Sequence, residues 1–348
     1  MKILQTLATD NLDNMHEREL TRQLLFHFMS STSIRQAYGN DQEFILISDS
    51  RGKALIESLN CFPYTSITTD LDNWPYTRPH KEVGYKLYGF QLYPDDDVIH
   101  FDNDIFLKNP VPTFTDVLVQ GSEGNFVEEF STNSDQQAYK ERWVWPPSAL
   151  SGSECKLKYN YNPGTLGLTA SSSIREQYVS DYHTYLEINT NNINQLETDD
   201  PDFYATISQE ERQWINTTLE ESYLYHLCED NNVNVVQVLD PNVVPPPLTW
   251  NSETNNRDEF FTRLYERHHN HWKELGYRHP FNIKNHNHSL MSEIIGGLDS
   301  TPAEDYWLPQ MSGSINDFLR ARTGLSPNPS IQETNITVKK ILTEYDHR

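Results

Sequence analysis

Short apolar runs of strand length alternate with stretches of helical periodicity from the start of the chain, and this alternation constrains the fold most. Lys2 to Leu7 reads as a buried strand, and Glu17 to Ala37 as a helix with Leu20, Leu24, Leu25, Phe28 and Met29 at helical spacing. Glu43 to Ser48 is a near-continuous apolar run, followed by a helix over Arg51 to Leu59. Tyr64 to Thr68 is a third strand, Lys81 to Leu92 a helix, and Asp97 to Phe101 a strand. The order β-α-β-α-β-α-β predicts an α/β fold: a mostly parallel central sheet flanked by helices. Ligands of such sheets bind beyond the carboxyl ends of the strands.

Beyond Asp116 to Gln120, a further strand, the pattern is less regular. Trp143 to Lys158 reads as loop, with Pro146 and Pro147, and Tyr159 to Leu168 carries a turn-like Asn-Pro-Gly. Ser171 to Glu187 is helical, Asn189 to Asp202 a polar loop, Thr218 to Glu229 a helix and Val233 to Val238 a strand. Asp258 to Leu275 is an amphipathic helix that Gly276 ends. The expected organisation is one α/β domain over 1–240 and a helical or irregular extension over 241–348, packed on the same domain.

The formal net charge of −23 opposes nucleic acid and anionic membrane surfaces. It opposes a nucleotide diphosphate too, unless local positive charge offsets it, and a divalent cation is the obvious source. Cys61, Cys155 and Cys228 are widely spaced and form no C-x-x-C pair, which argues against a disulfide framework or a structural zinc site. A reducing, cytoplasmic setting is the simplest fit. The sequence shows no secretory signal and no apolar stretch long enough to span a membrane.

The sharpest local feature is Val98 to Pro110, V-I-H-F-D-N-D-I-F-L-K-N-P. An apolar strand runs into Asp102-Asn103-Asp104 and then into Ile105, Phe106 and Leu107. Burying carboxylates between apolar flanks is costly unless something compensates. A hard cation with oxygen ligands, Mg2+ or Mn2+, is one such compensation, and it keeps positions open for diphosphate oxygens. The alternative is a surface turn in an acidic chain.

These residues, in this order, resemble the GT-A fold glycosyltransferases, most closely the glycogenin-like and lipopolysaccharide galactosyltransferase-like group and related bacterial and phage proteins. The resemblance covers about Met1 to Asp240. It implies that Asp102 and Asp104 ligate the metal and that the loop after the first strand, with Thr6 and Ala8, contacts the nucleotide. It implies that Lys86, in Y-K-L-Y-G-F-Q-L-Y, supports the nucleotide sugar; the alternative is a solvated helix lysine. In Y-N-P-G-T-L-G-L, Asn162 and Gly164 match a tight turn beside the donor sugar. In L-E-E-S-Y-L-Y-H-L, Glu220 matches the acid of an acid–amide pair at a helix start, and Glu221 stands where the amide would be. The resemblance implies that this pair lies near the donor sugar and the reacting centre, with Glu220 and Asn162 as catalytic candidates and Glu123 as a second carboxylate near the sugar. A first-turn glutamate favoured by the helix dipole is the alternative reading. The resemblance also implies a late histidine ligand, for which His286 comes first and His288 next. The group's G-x-x-K-P-W motif is absent, with Lys273 and Lys284 as loose substitutes.

The implied activity is metal-dependent transfer of a sugar from a nucleotide-diphosphate donor to a hydroxyl of a glycan, protein or small-molecule acceptor. Two other classes fit parts of the pattern. One is a different metal-dependent phosphate-ester enzyme using the same aspartates. The other is a non-catalytic carbohydrate-binding or structural protein on a decayed transferase fold.

Overall fold

A computed structural model of the chain describes residues 1–9, 27, 30–59, 62–75, 81–124, 144, 146, 159–207, 209–239 and 275–278. The strands are β1 (Lys2–Leu7), β2 (Phe44–Ser48), β3 (Ser66–Thr68), β4 (Val98–Phe101), β5 (Phe106–Leu107), β6 (Val117–Gly124), β7 (Tyr159–Leu168), β8 (Val235–Gln237) and β9 (Tyr277–Arg278). The helices are α1 (30–38), α2 (Ser50–Leu59), α3 (Lys81–Leu92), α4 (Arg175–Asp199), α5 (Pro201–Thr206) and α6 (Gln209–Asp230). This is the expected α/β class, with a mostly parallel sheet and flanking helices. The chain forms two compact units.

The first unit draws on Met1–Thr6, Asn73–His100 and Pro112–Arg257. Its strands lie in the order β1-β4-β7-β6-β8. β1 and β4 are parallel, with Ile3 opposite Ile99, and β6 and β8 are parallel, with Leu118 opposite Val236. β7 runs antiparallel to β6. Every residue of β4 is buried, which is why its sequence is a continuous apolar run apart from His100 rather than an alternating one. α6 packs on β7 and on α4, and α4 on α3. Polar groups staple the α4–α6 contact. The Tyr178 hydroxyl donates to the Glu220 carbonyl at 2.7 Å, Tyr223 to Asp181, and Tyr182 to Asn216.

The second unit draws on Leu7–Asp72, Phe101–Val111 and Asp258–Arg348. β2 and β3 pair in parallel, with Leu46 opposite Ile67. Asp49 caps α2: its carboxylate accepts from the Gly52 N–H at 2.6 Å, and also from the backbone and hydroxyl of Thr9. A side chain at Gly52 would collide with Ser48, whose buried hydroxyl is held by the Leu7 carbonyl. β5 and β9 pair antiparallel, so the late segment around Tyr277 lies beside the strand that leaves Asp104.

Three local expectations are corrected. Asn189 to Asp202 is not a loop. α4 continues to Asp199, and Pro201 then opens α5 behind an Asp200 N-cap. The buried positions Leu186, Asn189, Thr190, Ile193 and Leu196 keep helical spacing, but Asn and Thr occupy two of them, so an apolar pattern does not reveal it. The Asn189 amide both accepts from the Val144 N–H and donates to the Val144 carbonyl, each at 2.8 Å, and it donates to the Tyr185 carbonyl at 2.7 Å. Second, Asn162-Pro163-Gly164 is not a chain-reversing turn; it lies within β7. Third, the helix carrying Glu220 begins at Gln209, not near Thr218, so Glu220 sits in its middle and the helix-dipole reading does not apply. Of the amphipathic helix over Asp258 to Leu275, all but Leu275 lies outside the described residues. Leu275 is helical and Gly276 follows with φ 66°, the left-handed backbone that ends helices.

Candidate functional site

In the second unit, Asp102-Asn103-Asp104 follows β4 directly. The Ile105 N–H donates to the Asp102 carbonyl at 3.1 Å, closing a turn with one aspartate at its start and one inside it. Asp102 is half-buried, whereas Asp104 is 5% exposed. Ile105, Phe106 and Leu107 are buried and anchor the chain beyond the turn. Two serines of α1 brace the backbone here: Ser30 Oγ donates to the Asp102 carbonyl at 3.4 Å, and Ser33 Oγ accepts from the Leu107 N–H at 3.2 Å. Their i, i+3 spacing puts both on one helix face. That spacing was the available sequence signal for them, and apolar periodicity passes over it.

The donor set suits a magnesium-class cation, which takes one or two carboxylates and fills its shell with phosphate oxygens and water. Among the described residues, no three His, Cys, Asp or Glu side chains gather as a protein-only metal cage. Asp102 and Asp104 would therefore hold such an ion together with ligand oxygens. His286 and His288 lie outside the described residues. Arg278, which pairs with Phe106, precedes His286 by eight residues.

In the first unit, Lys86 and Glu220 meet. Lys86 lies on α3, the helix the sequence predicts, but it is 4% exposed, so it is not a solvated lysine. Its ammonium donates to Glu220 Oε1 at 2.6 Å and to the Pro163 carbonyl at 3.0 Å. Glu220 is 6% exposed, and its neighbour Glu221 accepts from Asn160 Nδ2 at 2.6 Å. Glu221 thus reaches β7, and Glu220 reaches the lysine.

The Pro163 carbonyl is available because β7 is irregular there. Leu166 pairs with Val119 and Asn162 with Gly121, so Pro163, Gly164 and Thr165 together face Gln120 alone. Proline has no N–H to give a ladder, and bulges are where strands accept it. Asn162 Oδ1 accepts from the Gly164 N–H at 2.9 Å, a local bond that stabilises the bulge. From Asn160 to Thr169 every residue is buried except Asn162, which is half-exposed.

Thr6, near the end of β1, contacts His100 Nε2 at 3.3 Å through its hydroxyl, within the first unit. Ala8, in the second unit, is buried and offers a ligand only its backbone. His27 and His183 are buried, and burial lowers each imidazole to about 3, so both are neutral near pH 7. The side chain of Glu123 lies outside the described residues. Among the described residues, no helix is long and apolar enough to cross a membrane.

Comparisons with known proteins give two kinds of match. Residues 1–306 match the model of a family of unknown function. The curated proteins give no sequence match. Among solved structures, the chain is similar to an active-site mutant of LgtC, with TM-score 0.39 and 11% identity, over 87% of this chain and 98% of that one. It is similar to mouse xyloside xylosyltransferase 1 in its apo form, with TM-score 0.33 and 10% identity, over 74% and 91%. It is also similar to the apo structure of WbbM, a bifunctional glycosyltransferase, with TM-score 0.33 and 13% identity, over 63% and 44%.

Proposed function

We propose that this chain, which belongs to DUF6734, a family of unknown function, is a metal-dependent glycosyltransferase of the GT-A kind. The observation that carries the reading is the turn after β4. Two aspartates stand there at the carboxyl end of a fully buried strand, and the strand leaving them pairs with the late segment Tyr277–Arg278. Ligands of open α/β sheets bind at such strand ends. The sequence resemblance to the glycogenin-like group adds the donor class, a nucleotide-diphosphate sugar, and a hydroxyl of unspecified kind as acceptor.

On this reading Asp102 and Asp104 hold Mg2+ or Mn2+, with His286 as a further ligand. When bound, the ion supplies charge neutralisation for the departing nucleoside diphosphate. Thr6 and the Ala8 backbone face the nucleotide. Asn162 and Gly164 face the sugar, where a half-exposed amide offers both a donor and an acceptor to hydroxyls. In the transfer, the bond from the sugar's anomeric carbon to the diphosphate oxygen breaks, and a bond to the acceptor oxygen forms. The diphosphate leaves with the electron pair, and the proton of the acceptor hydroxyl passes to solvent. We place the reaction in a reducing, cytoplasmic setting because the three cysteines are widely spaced and form no C-x-x-C pair.

Metal-linked thermal shifts test the reading. UDP, GDP, CDP and ADP are each added with Mn2+ and with EDTA. At least one should raise the melting temperature by several degrees with manganese and by nothing in EDTA, since a ligand at roughly 100 times its Kd stabilises by about 2.7 kcal/mol. Equal shifts with metal and chelator would remove the metal from the account.

A further inference from the structure

Lys86 is expected, by resemblance, to lend positive charge to the donor. Its surroundings suggest a different use. The ammonium is buried against the Glu220 carboxylate at 2.6 Å, so the two charges offset each other inside the protein. A buried lysine already matched by a carboxylate adds little net field toward a diphosphate. It also donates to the Pro163 carbonyl, at the head of the β7 bulge. One residue earlier stands Asn162, the half-exposed point of an otherwise buried stretch.

We propose that Lys86 and Glu220 form a self-neutralising clamp that positions the Asn162–Thr165 bulge, and that Asn162, not Lys86, meets the sugar hydroxyls. Lys86 and Glu220 are then positioning residues, acting through the Pro163 carbonyl. The assignment of Asn162 to the sugar rests on the glycosyltransferase reading above; the clamp itself does not. Glu220 sits mid-helix on α6, which packs on β7, and its backbone carbonyl accepts from the Tyr178 hydroxyl. It is therefore a firm anchor for the lysine.

The experiment compares Lys86→Met, Glu220→Met, the double variant and Lys86→Arg. Each methionine single leaves one buried charge without its partner and should lower the melting temperature by about 5 °C or more. The double removes both charges and should recover most of that loss. Amide hydrogen exchange at Gly164 and Thr165 should stay faster than wild type by about tenfold or more in the double, because the tie to the Pro163 carbonyl is gone. Lys86→Arg, which can donate to both partners, should restore slow exchange. With UDP and Mn2+ as probe, the double should keep wild-type affinity within about threefold. With UDP-glucose, or whichever nucleotide sugar the wild type turns over, kcat should fall by about tenfold or more with KM little changed. A double variant that binds UDP more than about tenfold weaker would overturn the proposal, because Lys86 would then serve the phosphates. Slow exchange at the bulge in the double would overturn it too. If the wild type binds no nucleoside diphosphate, the glycosyltransferase reading fails, and the melting and exchange measurements still decide the clamp.

Discussion

Asp104→Asn abolishes metal-dependent binding of a nucleoside diphosphate. The change keeps the shape of the side chain and removes its charge, at a position 5% exposed in a closed turn. An amide is a poor ligand for a hard cation, whereas a carboxylate is a good one. Losing even a residue that only orients a metal ligand costs roughly 10–100-fold in metal affinity, so loss of the ligand itself should exceed about 100-fold. Calorimetric titration with UDP and Mn2+ reads the effect, or with whichever nucleoside diphosphate the wild type prefers. Removing a buried charge does not open a cavity, so the melting temperature without ligand should stay within a few degrees of wild type. Unchanged affinity in this variant would remove Asp104 from the metal site. An unfolded variant would show instead that the carboxylate holds the turn together.

The largest stability effect is expected at Arg175. This residue opens α4, where a cation is unfavourable for its own helix. Its guanidinium is directed instead at the end of α3. It donates to the carbonyls of Phe90 at 2.9 Å, Tyr93 at 2.6 Å and Asp96 at 2.6 Å, and it lies over the Phe90 ring. Helix ends leave carbonyls without intrahelical partners, and here one buried side chain serves several. Burial lowers the Arg175 pKa, while Asp97, Asp96 and Asp95 act to raise it; the group remains charged. Arg175→Leu leaves these carbonyls without the guanidinium at roughly 1–3 kcal/mol each where they stay dry, so a loss of about 3–5 kcal/mol is expected. Arg175→Lys should recover only part of it, because an ammonium cannot match the fork geometry. Denaturant unfolding checks both variants, and a loss for Arg175→Leu below about 1 kcal/mol would mean that water takes over these carbonyls.

The parallel strands were legible because burial on both faces writes them as apolar runs: Lys2–Leu7 is matched residue for residue, as is the α3 range. The acidic turn was legible because it interrupts such a run. Where polar residues carry the packing, the pattern fails. Asn189 and Thr190 hold buried helical positions by bonding backbone, and the chain reads as loop. Asn162-Pro163-Gly164 has the composition of a turn, and only the pairing with β6 makes it a bulge. The Lys86–Glu220 contact joins residues 134 apart in sequence, and no local periodicity encodes that. Their burial is also invisible in sequence, since both residue types are ordinarily solvated. The late histidines could be placed in order along the chain, but His286 and His288 fall outside the described residues.

The most direct test is turnover by the wild type. Radiolabelled nucleotide sugars spanning several bases and sugars are incubated with Mn2+ or with EDTA, and the products are separated. At least one donor should yield nucleoside diphosphate plus free or transferred sugar, with manganese and not with EDTA. Nucleoside monophosphate plus sugar phosphate would contradict the glycosyltransferase reading, because that outcome cleaves the phosphoanhydride and marks a phosphohydrolase. No turnover of any donor, or turnover indifferent to metal, would contradict it as well.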